Sequence, residues 1–171
     1  MERVLVIGSP GAGKSTLAAQ IARRTDLPLV HMDQLAWEPG WVEASREALD
    51  AAIRAAIARP RWVIDGNYGR TLPLRLTRAD TVIDLKLPTG LCLWSILRRA
   101  LRHRGGTRFD MAPGCPERLD WEFLVYTARF GGSGRRNIER SLAGFAGERI
   151  TLHSRREVGA FLSALEPTPP N

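Results

Sequence analysis

Nine consecutive residues near the start of the chain have the types and spacing to hold a polyphosphate. Gly8-Ser9-Pro10-Gly11-Ala12-Gly13-Lys14-Ser15-Thr16 fits G-x-x-x-x-G-K-[ST], with Gly8, Gly13, Lys14 and Ser15 in the fixed places. Glycines let backbone N–H groups turn inward as a nest around phosphate oxygens. Lys14 brings a charge to the β- and γ-phosphates, and the Ser15 hydroxyl is placed for a magnesium ligand. The flanks agree with this reading. Val4-Leu5-Val6-Ile7 is an apolar strand-forming run, and Leu17 to Ala22 is a helix former. A helix starting at Lys14 aims its positive dipole end at the same anion. The combination predicts ATP with Mg²⁺ at Gly8 to Thr16 and is silent on the fate of the γ-phosphate.

Two carboxylates close apolar runs, as a carboxylate near bound phosphates should. Asp65 follows Trp62-Val63-Ile64 and precedes Gly66, which suits a Mg²⁺ ligand or an anchor for its water shell. Asp84 has the same look in Val82-Ile83-Asp84, but Leu85, Lys86 and Leu87 continue the run, so Asp65 is the preferred candidate. The other reading of Asp65 is a turn-forming residue before glycine. Asp33 follows Leu29 to Met32. There it would take the proton of an attacking hydroxyl or hold an acceptor, unless it is only an N-cap. His31 reads as a residue packed within its strand, since no second cluster of ligands accompanies it.

Arginine is concentrated after the middle of the chain. Arg98, Arg99, Arg102, Arg104 and Arg108 fall in a stretch with no acidic residue between Lys86 and Asp110. Arg98 and Arg102 share a helix face, and Arg135 and Arg136 follow beyond the next helix. Two arginine groups that bracket a Gly- and Pro-rich segment suit a lid over phosphates, with Arg98, Arg102 and Arg135 offsetting charge in the transition state. The plainer alternative is a solvated basic face. Trp37, Trp41 and Trp121 are read as core or lid packing.

These side chains need a scaffold that brings strand ends together. Five strand-like segments, at Val4–Ile7, Leu29–Met32, Trp62–Ile64, Thr81–Leu85 and Arg149–His153, alternate with helical patterns. Helices are expected over Lys14–Arg24, Glu43–Arg59, Leu91–Arg104, Glu117–Phe130, Arg136–Phe145 and from a Ser154 cap through Leu165. Gln34–Val42 and Gly105–Pro116 read as loops, and Pro167–Asn171 as a frayed tail. The alternation implies an α/β fold with a parallel sheet between helical layers. Ligands then collect at the carboxyl ends of the strands. The expected organisation is a single domain over 1–171 with a small helical lid inserted at about 104–134.

Composition excludes other classes. With 171 residues, 44% of them hydrophobic, the chain can bury a proper core. No apolar run reaches membrane-spanning length. Met-Glu-Arg runs straight into a core strand without a targeting segment, so a cytoplasmic location is expected. Cys92 and Cys115 are too few for a disulfide framework; Cys92 is assigned to the core and Cys115 to a loop. The net charge of +7 leaves nucleic acid open as a partner, although aromatics interleave poorly with the arginines.

Taken together, these segments resemble the adenylate kinase-like group of P-loop proteins, and most closely the branch labelled DNA topology modulation, related to the FlaR proteins. The resemblance runs through Gly8–Thr16, His31-Met32-Asp33-Gln34-Leu35, Trp37, Pro39-Gly40-Trp41, Trp62 to Tyr68, Arg104 to Arg108 and Asp110 to Glu117. It implies a three-layer P-loop fold with sheet order 2-3-1-4-5. It puts Asp65-Gly66 where adenylate kinases carry Asp-Gly, and Arg70 near their substrate-phosphate arginine. It puts Arg98 and Arg102 on the helix into the lid, and Arg135 or Arg136 on its return. The chain lacks the Thr-Gly-Asp segment for the acceptor nucleotide and a zinc-bearing lid, so the acceptor need not be AMP.

The expectation is a kinase that moves the γ-phosphoryl of ATP to a nucleotide or another small acceptor. Gly8–Thr16 would bind ATP, Ser15 and Asp65 the metal, and Asp33, Asp65 and Arg70 the acceptor. The alternative is a nucleotide-dependent DNA-binding or regulatory protein.

Overall fold

The structure is a computed structural model that describes residues 1–102, 105–117 and 119–165. Arg104, at the expected start of the lid, and the tail from Pro167 lie outside the described residues. So do His103 and Arg118.

Strand β1 (Arg3–Gly8) leads through the glycine loop into α1 (Lys14–Thr25). Strand β2 (Leu29–His31) passes without a break into the short helix α2 (Met32–Ala36). A two-stranded hairpin, β3 (Trp37–Glu38) and β4 (Val42–Glu43), precedes α3 (Arg46–Ala58). Then come β5 (Trp62–Asp65), α4 (Leu72–Leu76), β6 (Thr81–Leu85) and α5 (Thr89–Arg102). After the 105–120 segment the chain forms α6 (Trp121–Arg129), α7 (Ser133–Leu142), β7 (Glu148–Leu152) and α8 (Arg155–Ala164).

The main sheet is parallel, in the order β2-β5-β1-β6-β7. Counted without the hairpin, its five strands run 2-3-1-4-5. Parallel strands covered on both faces must be apolar throughout, which is how β1, β5 and β6 read. One face is filled by Leu17, Ala18 and Ile21 of α1 with Leu162 of α8. The other takes Ile53 and Ile57 of α3, Leu72 of α4 and Ile138 and Leu142 of α7. Leu49 and Ile53 lie four residues apart on α3, and both join this second cluster.

Local side-chain chemistry sets several helix starts that periodicity misplaced. α3 begins at Arg46 because Ser45 accepts a hydrogen bond from the Ala48 N–H. α6 begins at Trp121 because Asp120 accepts from the Phe123 N–H, and the expected start at Glu117 is instead drawn into ion pairs. α8 starts as expected, with the Ser154 hydroxyl accepting from the Glu157 N–H. The two hairpin strands, α2 and α4 have no periodic signal, since each spans five residues or fewer.

Cys115 lies in a loop, as expected, and is fully buried there. With Met111 and Ala112 it packs on Trp37 and Trp41 of the hairpin region. Its thiol donates to the Glu38 carbonyl at 3.2 Å, and the Gly40 N–H donates to the Gly114 carbonyl at 2.9 Å. The 105–117 segment is therefore docked on the hairpin by a small core of its own. Trp121 is 75% exposed and belongs to neither packing group. Among the described residues, no helix is long and apolar enough to cross a membrane.

Candidate active site

The glycine loop has the geometry its sequence demands. Gly8, Gly11 and Gly13 have φ of 136°, 73° and 90°, in the region that side chains avoid. A Cβ on Gly11 would also strike the Cys92 carbonyl and the Ile96 side chain, so α5 rests directly on the loop. Gly13 caps α1 without a side-chain partner, and this leaves the first N–H groups of the helix for an anion. The half-buried Lys14 donates from Nζ to the Ser9 carbonyl at 3.0 Å, across the loop mouth. Burial lowers its pKa, against the opposing charges of Asp65 and Asp33.

The sheet order places the ends of β2, β5 and β1 side by side. His31 and Asp65 are register partners, as are Asp65 and Val6. His31 Nδ1 and Asp65 Oδ1 lie 2.7 Å apart, both buried. Burial pulls the His31 pKa down, but the hydrogen bond to Asp65 and its charge, with those of Asp110 and Asp33, leave it raised. Asp33, one residue into α2, accepts at Oδ1 from the Tyr68 hydroxyl at 2.7 Å. Its side chain is 40% exposed, and Oδ2 lies 3.9 Å from Arg108. Desolvation raises the Asp33 pKa, helped by the charge of Asp65 and opposed by the Tyr68 hydrogen bond, Lys14 and Arg108.

A short loop joins these parts. The Asn67 amide holds both backbone groups of Gly8: Oδ1 accepts from the Gly8 N–H at 3.0 Å, and Nδ2 donates to the Gly8 carbonyl at 2.8 Å. Tyr68 reaches Asp33 from the next position. Beneath them the fully buried Arg75 donates to the carbonyls of Gly66, Asn67 and Tyr68. Burial lowers the Arg75 pKa to about 10. With these three carbonyls as its partners, Arg75 acts as a fixed clamp for residues 66–68.

The arginines divide. Arg99 lies seven residues after Cys92 and three after Ile96, on the α5 face that meets the glycine loop, and its charge acts on Lys14. It donates from Nε to Glu117 at 3.0 Å. Arg108 lies 3.1 Å from both Asp110 and Glu117. Arg98 and Arg102 are exposed on other faces of α5. Arg70 makes a bidentate pair with Asp50 of α3, at 2.8 and 3.0 Å, rather than facing Asp33. Arg135 is held bidentately by Asp84 and also by Glu139. Asp84, the rival to Asp65, is thereby fully buried and neutralised.

The oxygen donors available for Mg²⁺ are the Ser15 hydroxyl, in the first turn of α1, and the Asp65 carboxylate. Two hard oxygen donors fit a Mg²⁺ that keeps waters and binds chiefly through substrate phosphates. Among the described residues no group of three or more His, Cys, Asp or Glu forms a metal cage, and such a site needs none. A neighbouring cavity of about 410 Å³, lined in part by Asn67, Arg70, Leu72, Tyr126, Phe130 and Arg140, touches neither Lys14 nor Asp33.

His31, Asn67, Tyr68 and Arg75 were not singled out as site residues from the sequence. Asn67 and Tyr68 stand in Asp65-Gly66-Asn67-Tyr68-Gly69, a run of turn residues directly after a buried strand, and that was the available signal. His31 becomes legible only once β2 is paired with β5 in register.

Residues 4–64 match the ATPase family associated with various cellular activities (AAA). No curated protein sequence matches the chain. Many solved structures are similar to it, among them three kinases. A gluconokinase from Sinorhizobium meliloti 1021 has 15% identity and a TM-score of 0.54, covering 96% of this chain and 93% of that one. A shikimate kinase from Bacteroides thetaiotaomicron has 17% identity and a TM-score of 0.51, covering 96% and 95%. A sugar kinase from Janibacter sp. HTCC2649 has 16% identity and a TM-score of 0.50, covering 99% and 96%. At these identities the likeness is one of fold. The chain has the α/β P-loop architecture, with a five-stranded parallel sheet, that these kinases share.

Proposed function

We propose that the protein is an ATP-dependent phosphotransferase acting on a small-molecule acceptor. One observation carries the reading. Three adjacent parallel strands end in the phosphate loop, Asp65 and Asp33, and the charges of both carboxylates act on Lys14. The kinase identity of the similarly folded structures supports it.

In this proposal the loop N–H groups, the α1 dipole and Lys14 bind the phosphates. Ser15 and Asp65 hold Mg²⁺, which neutralises phosphate charge when bound. His31 fixes the Asp65 carboxylate, and Tyr68 fixes that of Asp33. Asp33 holds the acceptor. Arg99, on the face of α5 that meets the loop, offsets charge on the transferring group. Arg98 and Arg102 remain on the exposed faces of that helix, and Arg135 serves to neutralise Asp84. The 105–117 segment acts as the lid and excludes water, which keeps ATP hydrolysis slow.

A coupled ADP-release screen of the full chain with MgATP across nucleotides, nucleosides and small metabolites tests this. At least one acceptor is expected to raise turnover well above hydrolysis, and Lys14→Ala is expected to lower that turnover by about 1,000-fold. Absence of any stimulating acceptor, with tight ATP-linked binding of DNA, would leave a nucleotide-dependent DNA-binding protein instead.

A further inference from the structure

The charges around Asp33 bear on the nature of the acceptor, an inference that rests on the phosphotransferase reading. Recognition of a phosphorylated acceptor, such as a nucleoside monophosphate, calls for positive charge that carboxylates have not already matched, since a phosphate dianion must be balanced. The described arginines that approach this side each have a carboxylate or carbonyl partner. Arg70, the residue placed near a substrate phosphate by resemblance, forms an exposed bidentate pair with Asp50 and is turned away from Asp33. Arg108, the guanidinium that approaches Asp33, is flanked by Asp110 and Glu117 at 3.1 Å each. Arg99 is bound to the same Glu117. Arg75 is spent on backbone carbonyls.

Among the described residues, the local balance is two guanidinium groups, Arg99 and Arg108, against three carboxylates, Glu117, Asp110 and Asp33. Lys14 lies in the loop, where the donor phosphates would claim it. The described part of the wall that faces an acceptor is therefore close to neutral, with a small excess of negative charge. A second dianion beside Asp33 would meet repulsion, with its nearest described guanidinium groups already matched by carboxylates. Like charges brought together in this way suppress binding of the wrong partner.

Asp33 itself is set up for a hydroxyl. Tyr68 occupies Oδ1, while Oδ2 lies 3.9 Å from Arg108, beyond hydrogen-bond distance, on a side chain that is 40% exposed. A carboxylate accepts a hydrogen bond from a hydroxyl and has nothing to donate to a phosphate. Two further contacts tie the docked segment to this end of the sheet: the Gln34 amide donates to the Phe109 carbonyl at 2.8 Å, and the Phe109 ring lies edge-on to His31.

We infer that the acceptor is an uncharged hydroxyl compound, a polyol, sugar or nucleoside, and that a phosphorylated acceptor is rejected. The acceptor hydroxyl hydrogen-bonds to Asp33. As its oxygen bonds to the γ-phosphorus, the bond from that phosphorus to the β,γ-bridging oxygen breaks, and ADP leaves with the electron pair. The hydroxyl proton passes to Asp33 and then to solvent. The products are a phosphate monoester and ADP.

Matched pairs that differ only by one phosphate test the inference on the wild-type chain. The pairs are nucleosides against their 5′-monophosphates and hexoses against their 6-phosphates, assayed by ADP release and by ³¹P NMR of the ester. The uncharged member of a productive pair is expected to win by about 100-fold in kcat/KM. Glu117→Gln, which removes the carboxylate shared by Arg99 and Arg108, is expected to narrow that preference by about 10-fold. If this variant fails to fold, the paired comparison on the wild type still decides. A preference for the monophosphate overturns the inference and leaves the phosphotransferase intact. ADP release stimulated by no member of any pair, nor by any acceptor of the broader screen, overturns both.

Discussion

The two halves of the candidate site are built in opposite ways. The donor half is local. Residues 8–16 are contiguous, their geometry comes from glycine backbone freedom, and their groups are mostly main-chain N–H groups and one lysine. The acceptor half is assembled from four separate stretches, at 31–34, 65–70, 99 and 108–117. Its polar groups are side chains that hold one another through ion pairs and hydrogen bonds. A contiguous anion nest tolerates much change elsewhere. A side-chain network fixes specificity and fails piecemeal. The 65–68 loop is where the halves meet, through Asn67 on one side and Tyr68 on the other.

The sharpest test of this division is Asp33→Asn. Loss of the proton acceptor is expected to cut transfer to the best acceptor by about 1,000-fold. MgATP affinity, measured by calorimetry, is expected to change by less than about 5-fold, because Asp33 reaches the donor half only through its charge on Lys14. A parallel loss of ATP binding would break the comparison.

Asn67→Ala addresses the junction from the donor side. Two hydrogen bonds to Gly8 are removed, each worth about 1 kcal/mol, so the thermal midpoint is expected to fall by about 4 to 8 °C and MgATP affinity by about 10-fold as the loop loosens. An effect confined to the acceptor KM would place Asn67 in the wrong half.

The His31–Asp65 pair gives a pH signature. The His31 pKa is raised above the ordinary 6.5 in the fold. The stability it contributes is then full below 6.5 and is lost as pH rises through the folded value. Relative to His31→Asn, the wild type is expected to be more stable by about 1.5 kcal/mol at acid-neutral pH, with the margin shrinking in alkaline solution. Thermal unfolding at a series of pH values checks this; a margin that grows with pH would reverse the assignment.

The smallest expected effect is that of Tyr68→Phe. Its hydroxyl favours the ionised form of Asp33, so removing it moves the acid limb of the pH–rate profile upward. The associated loss in kcat is about 5-fold. An unmoved limb would detach Asp33 from the proton transfer.

Much of the fold was legible because its signals are local. All five strands of the main sheet announce themselves as strand-like segments, and α1, α3, α5 and α8 as periodic or capped segments. The α2 and α4 helices and the β3–β4 hairpin were not legible, since short elements depend on tertiary contacts rather than on periodicity. Arg98 and Arg102 drew attention by their spacing. Arg99 carries the inward face because Cys92 and Ile96 set the phase of α5 against Gly11. Cys115 read as a turn residue, but the apolar surface that buries it, from Trp37 and Trp41, lies more than 70 residues earlier.

From the sequence alone, then, came the phosphate loop, the parallel α/β class and the candidacy of Asp33 and Asp65. Each rests on nearest neighbours: a glycine run between strand and helix, or a carboxylate ending an apolar run. The tertiary structure decided which arginines are spent, that Asp84 is neutralised, and that Asn67 and Tyr68 tie the two halves together. Those outcomes depend on strand register and on which charged side chains meet across roughly 20 to 80 positions of chain, and pairing at that range is set by packing rather than by local pattern.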